Sequence, residues 1–388
     1  MIDSSEMPLE LSIVMPCLNE AETIEGCVKR SVETLRREGI AGEVLVADNG
    51  SDDGSRELAA SAGARVVPVT ARGYGAALIG GCTAARGRFI LMADADGSYD
   101  FSQAPEFLRK LREGNDLVMG NRFRGQIKPG AMPWKNRYIG NPVLTTIGRL
   151  FFRTPVSDFH CGLRAFSKDA FEKLELCTTG MEFASEMVIK ATLLKLRVAE
   201  IPTTLSPDGR SRRPHLRPWR DGWRHLRFML LYSPRWLFLY PGILLMLAGL
   251  ALTLWLLPRP QQIGHIVVDV HTMFVAMILA VVGFQAVCFG VTTKIYAVTH
   301  GLHPTNSFPM RIFRYFTLEV GLTVGVVCLL LGSSGLAYSV LAWGQQQFGP
   351  LEPSRMLRTI IPSAFLVIVG MQTICTSFVL SIMGMSRK

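Results

Sequence analysis

Asp94 and Asp96 stand one residue apart at the end of the apolar run Phe89–Ala93. Two carboxylates so placed can share a divalent cation, which then offsets the charge of a diphosphate. Alone, an Asp-x-Asp pair often does no more than cap a turn. Its place behind an apolar run of strand length gives it weight. Upstream, Asp48-Asn49-Gly50-Ser51-Asp52-Asp53-Gly54-Ser55 follows another such run, Glu43–Ala47. There Asp48 can hydrogen-bond a base or ribose while the glycines let the backbone come close to a ligand. The same residues suit a tight turn with Asp53 or Ser55 as helix cap. Both readings can hold at once.

The elements that must position these acids are legible in the pattern. Leu11–Met15, Glu43–Ala47, Arg65–Val69, Phe89–Ala93 and Asp116–Met119 are short apolar runs, and helical patterns lie between them at Glu20–Arg37, Gly54–Ala62, Tyr74–Ala85 and Ser102–Glu113. This alternation predicts an α/β fold, a mostly parallel sheet with helices on both faces. Ligands of such sheets bind beyond the carboxyl ends of the strands. Polar clusters occur at each of those ends: Pro16–Glu20, Asp48–Ser55, Arg72–Ala76, Asp94–Asp100 and Gly120–Arg124.

Of the 388 residues, 49% are hydrophobic and the net charge is +10, and neither property is evenly spread. After about Tyr232 come apolar segments at Trp236–Leu257, Ile266–Phe289, Leu318–Trp343 and Ile360–Met383. Each is near or above the ~20 residues that a helix needs to cross hydrocarbon. Just before them, Arg210 to Arg235 is strongly basic, as suits anionic lipid headgroups. Within it His215–Leu231 mixes Trp219 and Trp223 with Arg220, Arg224 and Arg227, a composition that predicts an interfacial helix; Met310–Phe316 is a second such stretch. No nucleic-acid module accompanies the basic charge, so nucleic acid is not expected as a partner. The eight cysteines show no metal or redox spacing and the first residues no signal peptide, which places the first domain in the cytoplasm. An even number of spans returns the C-terminus, with Arg387 and Lys388, to the same side. The expected organisation is a catalytic domain over 1–209, a basic amphipathic segment over 210–235 and an all-α transmembrane domain of four helices over 236–388.

Taken together, SIVMPCLNE (Ser12–Glu20), VADNGSDDGS (Val46–Ser55), the Arg72-Gly73-Tyr74-Gly75 turn and DADGSYD (Asp94–Asp100) resemble the family 2 glycosyltransferases of GT-A (Rossmann-like) fold. Within that family the chain is most similar to dolichyl-phosphate mannose synthases and related polyprenyl-phosphate glycosyltransferases, over about residues 9–232. The resemblance implies that Pro16, Asn19, Glu20 and Asp48 hold the nucleoside, with Gly73 in the donor-binding turn. It implies that Asp94 and Asp96 hold Mg2+ or Mn2+ and the donor diphosphate, with Arg122 near the transferring phosphates. Asp158 and the following Cys161–Arg164, with Glu182–Glu186, match segments lining the sugar and acceptor side. Arg210 and Arg212 fall in a basic loop that closes over the diphosphate. Two positions depart from the family pattern. Asn49 stands where a second acid is common, and Ser98 where the mannose synthases carry Gln, which puts mannose in question.

The expected activity is therefore transfer of a sugar from a GDP- or UDP-linked donor onto a polyprenyl or dolichyl phosphate, with inversion, at the cytoplasmic membrane face. A lipid phosphate is already an anion, so positioning and charge handling can suffice without a general base. Two alternatives stay open. A processive polysaccharide synthase would share this domain, but its Gln-x-x-Arg-Trp motif is incomplete, with Tyr232 three residues before Arg235. A non-catalytic nucleotide-binding scaffold would have no need of Asp48, Asp94, Asp96 and Arg122.

Overall fold

The computed structural model describes residues 9–211, 218–299, 317–350 and 352–385. The chain divides into two compact units, Met1–Met229 and Leu230–Lys388.

The first unit is built on one sheet. In chain order it runs β1 (Leu11–Cys17), α1 (Ile24–Arg37), β2 (Gly42–Asp48), α2 (Ser55–Ser61), β3 (Arg65–Pro68), α3 (Tyr74–Ala84), β4 (Phe89–Met92) and α4 (Ala104–Arg112). Then follow β5 (Leu117–Ile127), α5 (Asn141–Phe152), β6 (Arg164–Ser167), α6 (Lys168–Leu174), α7 (Phe183–Leu193), β7 (Val198–Leu205) and α8 (Pro218–Leu231). The strand order is β3-β2-β1-β4-β6-β5-β7. All neighbours pair in parallel except around β6, which runs antiparallel to both β4 and β5. Strands at the middle of such a sheet are covered on both faces, so they read as continuous apolar runs. Ile13, Val14, Leu45, Ile90, Leu91, Leu117 and Val118 are fully buried. The reversal at β6 is the feature that the alternating pattern did not foretell. Arg164–Ser167 carries a charged residue at its head, and the helix expected before a parallel strand is separated from it by the turn-rich segment 153–163.

The second unit begins within α8's last turn. It contains α9 (Tyr240–Leu256), a short antiparallel hairpin of β8 (Gln261–Ile263) and β9 (Ile266–Val268), and then α10 (Val270–Thr299), α11 (Leu318–Gln345) and α12 (Pro353–Met385). Among the described residues, four helical stretches, Arg235–Leu256, Val270–Thr299, Leu318–Gln345 and Pro353–Met383, are long and apolar enough to cross a membrane. Their outward faces are apolar: Leu244 is 70% and Leu341 68% exposed. Beside a buried cluster of Leu256, Met273, Met277, Ala280 and Ile361, the closest approaches between them are made at small residues, as expected where lipid removes any hydrophobic drive to associate. A Cβ on Gly249 would overlap the backbone of Ala276, and one on Gly283 the backbone of Met246. Gly325 and Gly370 stand in the same relation across α11 and α12, each with the other's carbonyl 2.7–2.9 Å from where its Cβ would be.

Arg358, in the first turns of α12, is internally paired. It donates to the Leu256 carbonyl, to that of Leu257 (3.2 Å) and to Asp269, whose other oxygen accepts from Ser354 Oγ at 2.9 Å. The guanidinium thus caps the carboxyl end of α9, where the helix dipole favours a cation. Arg387, Lys388 and the stretch Met310–Phe316 lie outside the described residues.

Replacing Gly283 by Leu should force the α9–α10 seam apart at backbone level, at a cost of about 1–3 kcal/mol or more. The expected outcome is a lower midpoint of thermal aggregation in detergent. The same change at Gly222, where a Cβ meets nothing within 4 Å, should leave that midpoint nearly unmoved.

Candidate active site

Four of the five polar clusters at the strand ends, all but Gly120–Arg124, converge on one cavity of about 540 Å3 in the first unit. The loops around it are laced to one another by hydrogen bonds. After β1, Asn19 adopts φ 60°, which turns the loop toward the segment following β2. Asn19 N donates to Ser51 Oγ (2.9 Å), Asp52 N to Asn19 Oδ1 (2.9 Å), Glu20 N to Ser55 Oγ (2.8 Å) and Ala21 N to Asp53 Oδ2 (2.9 Å). Asp48 is buried beneath this lacing. It accepts from Gly50 N and Ser51 N at 3.1 Å each and from Arg56 Nε at 2.6 Å. These hydrogen bonds hold its carboxyl below the usual carboxylate range against the opposing effect of burial. Asp48 therefore shapes the loop, and the cavity wall is met by its neighbour Asn49.

Asn49, which departs from the family's second acid, is the hinge pin of the next loop. Its amide donates to the carbonyls of Val69 (3.1 Å) and Ala71 (2.7 Å), and its oxygen accepts from Gly73 N (2.8 Å). An aspartate could make only the last of these. Gly73 has φ 129°, and a Cβ there would overlap the Thr179 carbonyl, so no other residue fits. This turn delivers Tyr74, whose hydroxyl donates to Asp94 Oδ1 at 2.9 Å.

The acidic pair lies on the cavity wall as the spacing predicts. Burial, reinforced by the charge of Asp96, pushes the Asp94 carboxyl up to about 6. Asp96 is balanced from the other side: its Oδ1 accepts from Ser98 N (3.0 Å) and its Oδ2 meets Arg210 Nη2 at 2.9 Å. Arg210 also reaches Glu20 Oε2 at 2.9 Å, so one guanidinium bridges the β1 and β4 loops. The segment bearing Arg210 is anchored by Ser206 N to Ser98 O and Gly209 N to Asp96 O, both 2.9 Å. Arg212 lies outside the described residues.

Asp94 and Asp96 fit a divalent cation by their chemistry. A half-buried carboxylate pair, one member resisting ionisation because of burial and then of the other's charge, is relieved by a +2 charge. No group of three or more His, Cys, Asp or Glu side chains suited to a metal occurs among the described residues. A cation held by two carboxylates, with phosphate oxygens and water completing its shell, is the arrangement usual for Mg2+.

Arg122 and Asp158 meet each other rather than the main cavity. Asp158 accepts from Arg122 Nε (2.8 Å), Nη2 (2.7 Å) and the Arg122 backbone N (3.0 Å), with both side chains buried. Arg164 is fully buried and spends its guanidinium on the carbonyls of Cys161, Ala184 and Phe159 at 2.7–2.8 Å. Glu186 binds the Cys177–Thr178 turn and Lys190, thereby setting the loop that brings Gly180 and Met181 to the cavity. Gly162 lies against the acids: a Cβ there would stand 2.7 Å from Asp94 Oδ2.

Sequence reasoning put Arg220 and Arg224 among lipid-facing residues. The structure places both, with Asp221 between them, on the wall of the main cavity. They stand 3.7 and 3.9 Å from the Asp221 carboxylate, on the N-terminal half of α8. Helical spacing alone could have paired Arg220 with Arg224, but nothing local shows which face of α8 turns inward. Tyr74 had a signal, since it directly follows the turn glycine. His160 and His225 had none.

Breaking the Arg122–Asp158 pair from one side should be costly, because it strands a buried guanidinium. Asp158→Asn should lose about 3–5 kcal/mol of stability, whereas Arg122→Met combined with Asp158→Leu should lose much less. Thermal unfolding of the detergent-solubilised chain, read side by side for the two variants, checks the order.

Residues 12–175 match glycosyl transferase family 2, and residues 291–384 match the glycosyltransferase family 2 C-terminal transmembrane region. The chain is 37% identical over 386 residues to the low-salt glycan biosynthesis hexosyltransferase Agl6 of Haloferax volcanii, covering 98% of this chain and 90% of that protein. It is 32% identical over 302 residues to glycosyltransferase AglJ of the same organism, covering 76% and 95% respectively. Among solved structures, glucosyl-3-phosphoglycerate synthase from Mycobacterium tuberculosis, in complex with Mn2+, UDP-glucose and phosphoglyceric acid, is similar at 22% identity and a TM-score of 0.47, over 58% of this chain and 79% of that one. With a relative matched over nearly its whole length, this chain belongs to glycosyltransferase family 2.

Proposed function

We propose that this glycosyltransferase moves a hexosyl group from a UDP- or GDP-linked donor onto a polyprenyl or dolichyl phosphate at the cytoplasmic membrane face, inverting the anomeric configuration. The observation that carries the reading is the shared cavity: the acids Asp94 and Asp96 and the arginines Arg210, Arg220 and Arg224 line one space, in a chain with four apolar spans. Donor and acceptor are both anions, and such a wall can hold both. The relative named a hexosyltransferase supports a hexose as the transferred group.

Each residue has a task in this reading. Pro16 and Glu20 line the nucleoside side, while Asn19, Asp48 and Gly73 hold the loops that form it. Asp94 and Asp96 would hold Mg2+ or Mn2+, which when bound supplies charge compensation to the leaving diphosphate. Arg210, with Arg212 beyond the described residues, faces that diphosphate from the other side. Arg220 and Arg224 draw in the acceptor phosphate. Its oxygen attacks the anomeric carbon opposite the diphosphate, and no proton need be removed because the acceptor is already ionised. Arg122 and Asp158 support the sugar side as a rigid pair.

Covalent continuity supports the lipid acceptor. The helix that carries Arg220 and Arg224 is followed, after Tyr232–Pro234, by the first apolar helix.

Asp96→Asn should leave the fold intact and lower turnover on the order of a hundredfold, through poorer compensation of the departing charge. Transfer assays with and without EDTA test it; near-normal turnover of the variant in EDTA would remove the metal from the reading. Radiolabel from a UDP- or GDP-hexose should partition into organic solvent as a mild-acid-labile lipid only when polyprenyl phosphate is supplied. A water-soluble polymer that lengthens with time would point to a processive synthase instead.

A further inference from the structure

Behind Asp94 the main cavity adjoins a second chamber of about 200 Å3 in the same unit. Tyr74, Asp94, Met181 and Asp221 line both spaces. Most polar groups of this chamber are already engaged. Arg122 is held by Asp158, Arg164 by three carbonyls, and Tyr99 Oη accepts from Gly162 N at 2.8 Å. The Nδ1 of His225 is bonded to Ser185 Oγ at 2.8 Å.

His160 is the exception. Both of its ring nitrogens are buried, and neither has a hydrogen-bond partner among the described residues. Buried polar atoms are almost always paired, so two on one ring, beside a chamber, ask for a partner that enters it. The ring is not free to look elsewhere. It packs edge-to-face on His225 at 4.5 Å and 76°, and His225 is itself fixed by Ser185.

The chemistry of the missing partner follows from the protonation of the ring. Burial, with His225 and the positive charges of Arg122 and Arg164 nearby, holds His160 well below its ordinary range, so it is neutral. A neutral imidazole offers one N–H donor and one bare nitrogen acceptor. Ionised phosphate oxygens only accept and would leave the bare nitrogen unmet. A hydroxyl can take from the N–H or give to the bare nitrogen, so whichever of the two faces the chamber can be met by one.

We propose that His160 reads a hydroxyl of the transferred sugar and so helps to determine which hexose this enzyme accepts. The inference rests on the nucleotide-sugar reading above. His225 and Ser185 act as positioning residues, through the orientation of His160.

The test is titration calorimetry on the full chain in detergent with MgCl2, using UDP, GDP and a panel of UDP- and GDP-hexoses. Against the preferred donor, His160→Phe should weaken binding about tenfold, the scale of one lost hydrogen bond, while changing the affinity for the bare diphosphate by no more than about twofold. His160→Gln, which keeps a donor and an acceptor, should recover most of the loss. One monodeoxy form of the donor should bind the wild type about tenfold more weakly and lose nothing further in His160→Phe. Equal losses for the bare diphosphate and the sugar donor in both variants would make His160 a structural residue. No loss in either, or no deoxy position that distinguishes wild type from His160→Phe, would mean that water serves the ring; each of these outcomes overturns the proposal alone. A wild type that binds neither UDP, GDP nor any hexose donor would overturn the nucleotide-sugar reading beneath it.

Discussion

Two carboxylates fixed one residue apart at the end of a buried strand repel each other, and much of the first unit is arranged around that repulsion. The Tyr74 hydroxyl meets Asp94, the Ser98 amide and Arg210 meet Asp96, and Gly162 is shaped to leave Asp94 room. Each of these groups comes from a different loop. The acids thus act as the knot through which the loops after β1, β3 and β4 and the segment after β7 are tied. Asp94 nonetheless keeps an unrelieved cost of charge, which is what a site for a cation and a diphosphate requires.

Preorganisation continues outward from that knot. The β1 and β2 loops are joined by hydrogen bonds, and Asn49 joins the β2 loop to the turn at Gly73. The arginines on α8 differ in kind. They are partly exposed and only loosely paired with Asp221, at 3.7 and 3.9 Å.

What could be read from the sequence follows the range of the forces involved. The parallel core was legible because strands covered on both faces advertise themselves as apolar runs, as Phe89–Met92 does. The acidic pair was legible because it ends such a run. The membrane helices were legible by length alone. Asp48 was expected at the nucleoside, and its turn-forming role was open as well; its three hydrogen bonds are local and show the second. The inward face of α8 and the His160–His225 contact depend on residues 65 positions apart meeting across loops, and no local pattern encodes that. The antiparallel β6 was missed for the same reason, since its partners β4 and β5 lie far from it in sequence.

The glycine seams of the second unit bear on how it is made. Because α9 closes on α10 and α11 on α12 through backbone contact, each pair is a helical hairpin with its own internal fit. Such hairpins need no water-driven collapse to find their partner, only lateral meeting in the bilayer. The translocation machinery could thus release the membrane portion as two prefabricated modules in succession. A break in the polypeptide between α10 and α11 would then fall at a joint between modules, and the two fragments made separately would still be able to reassemble.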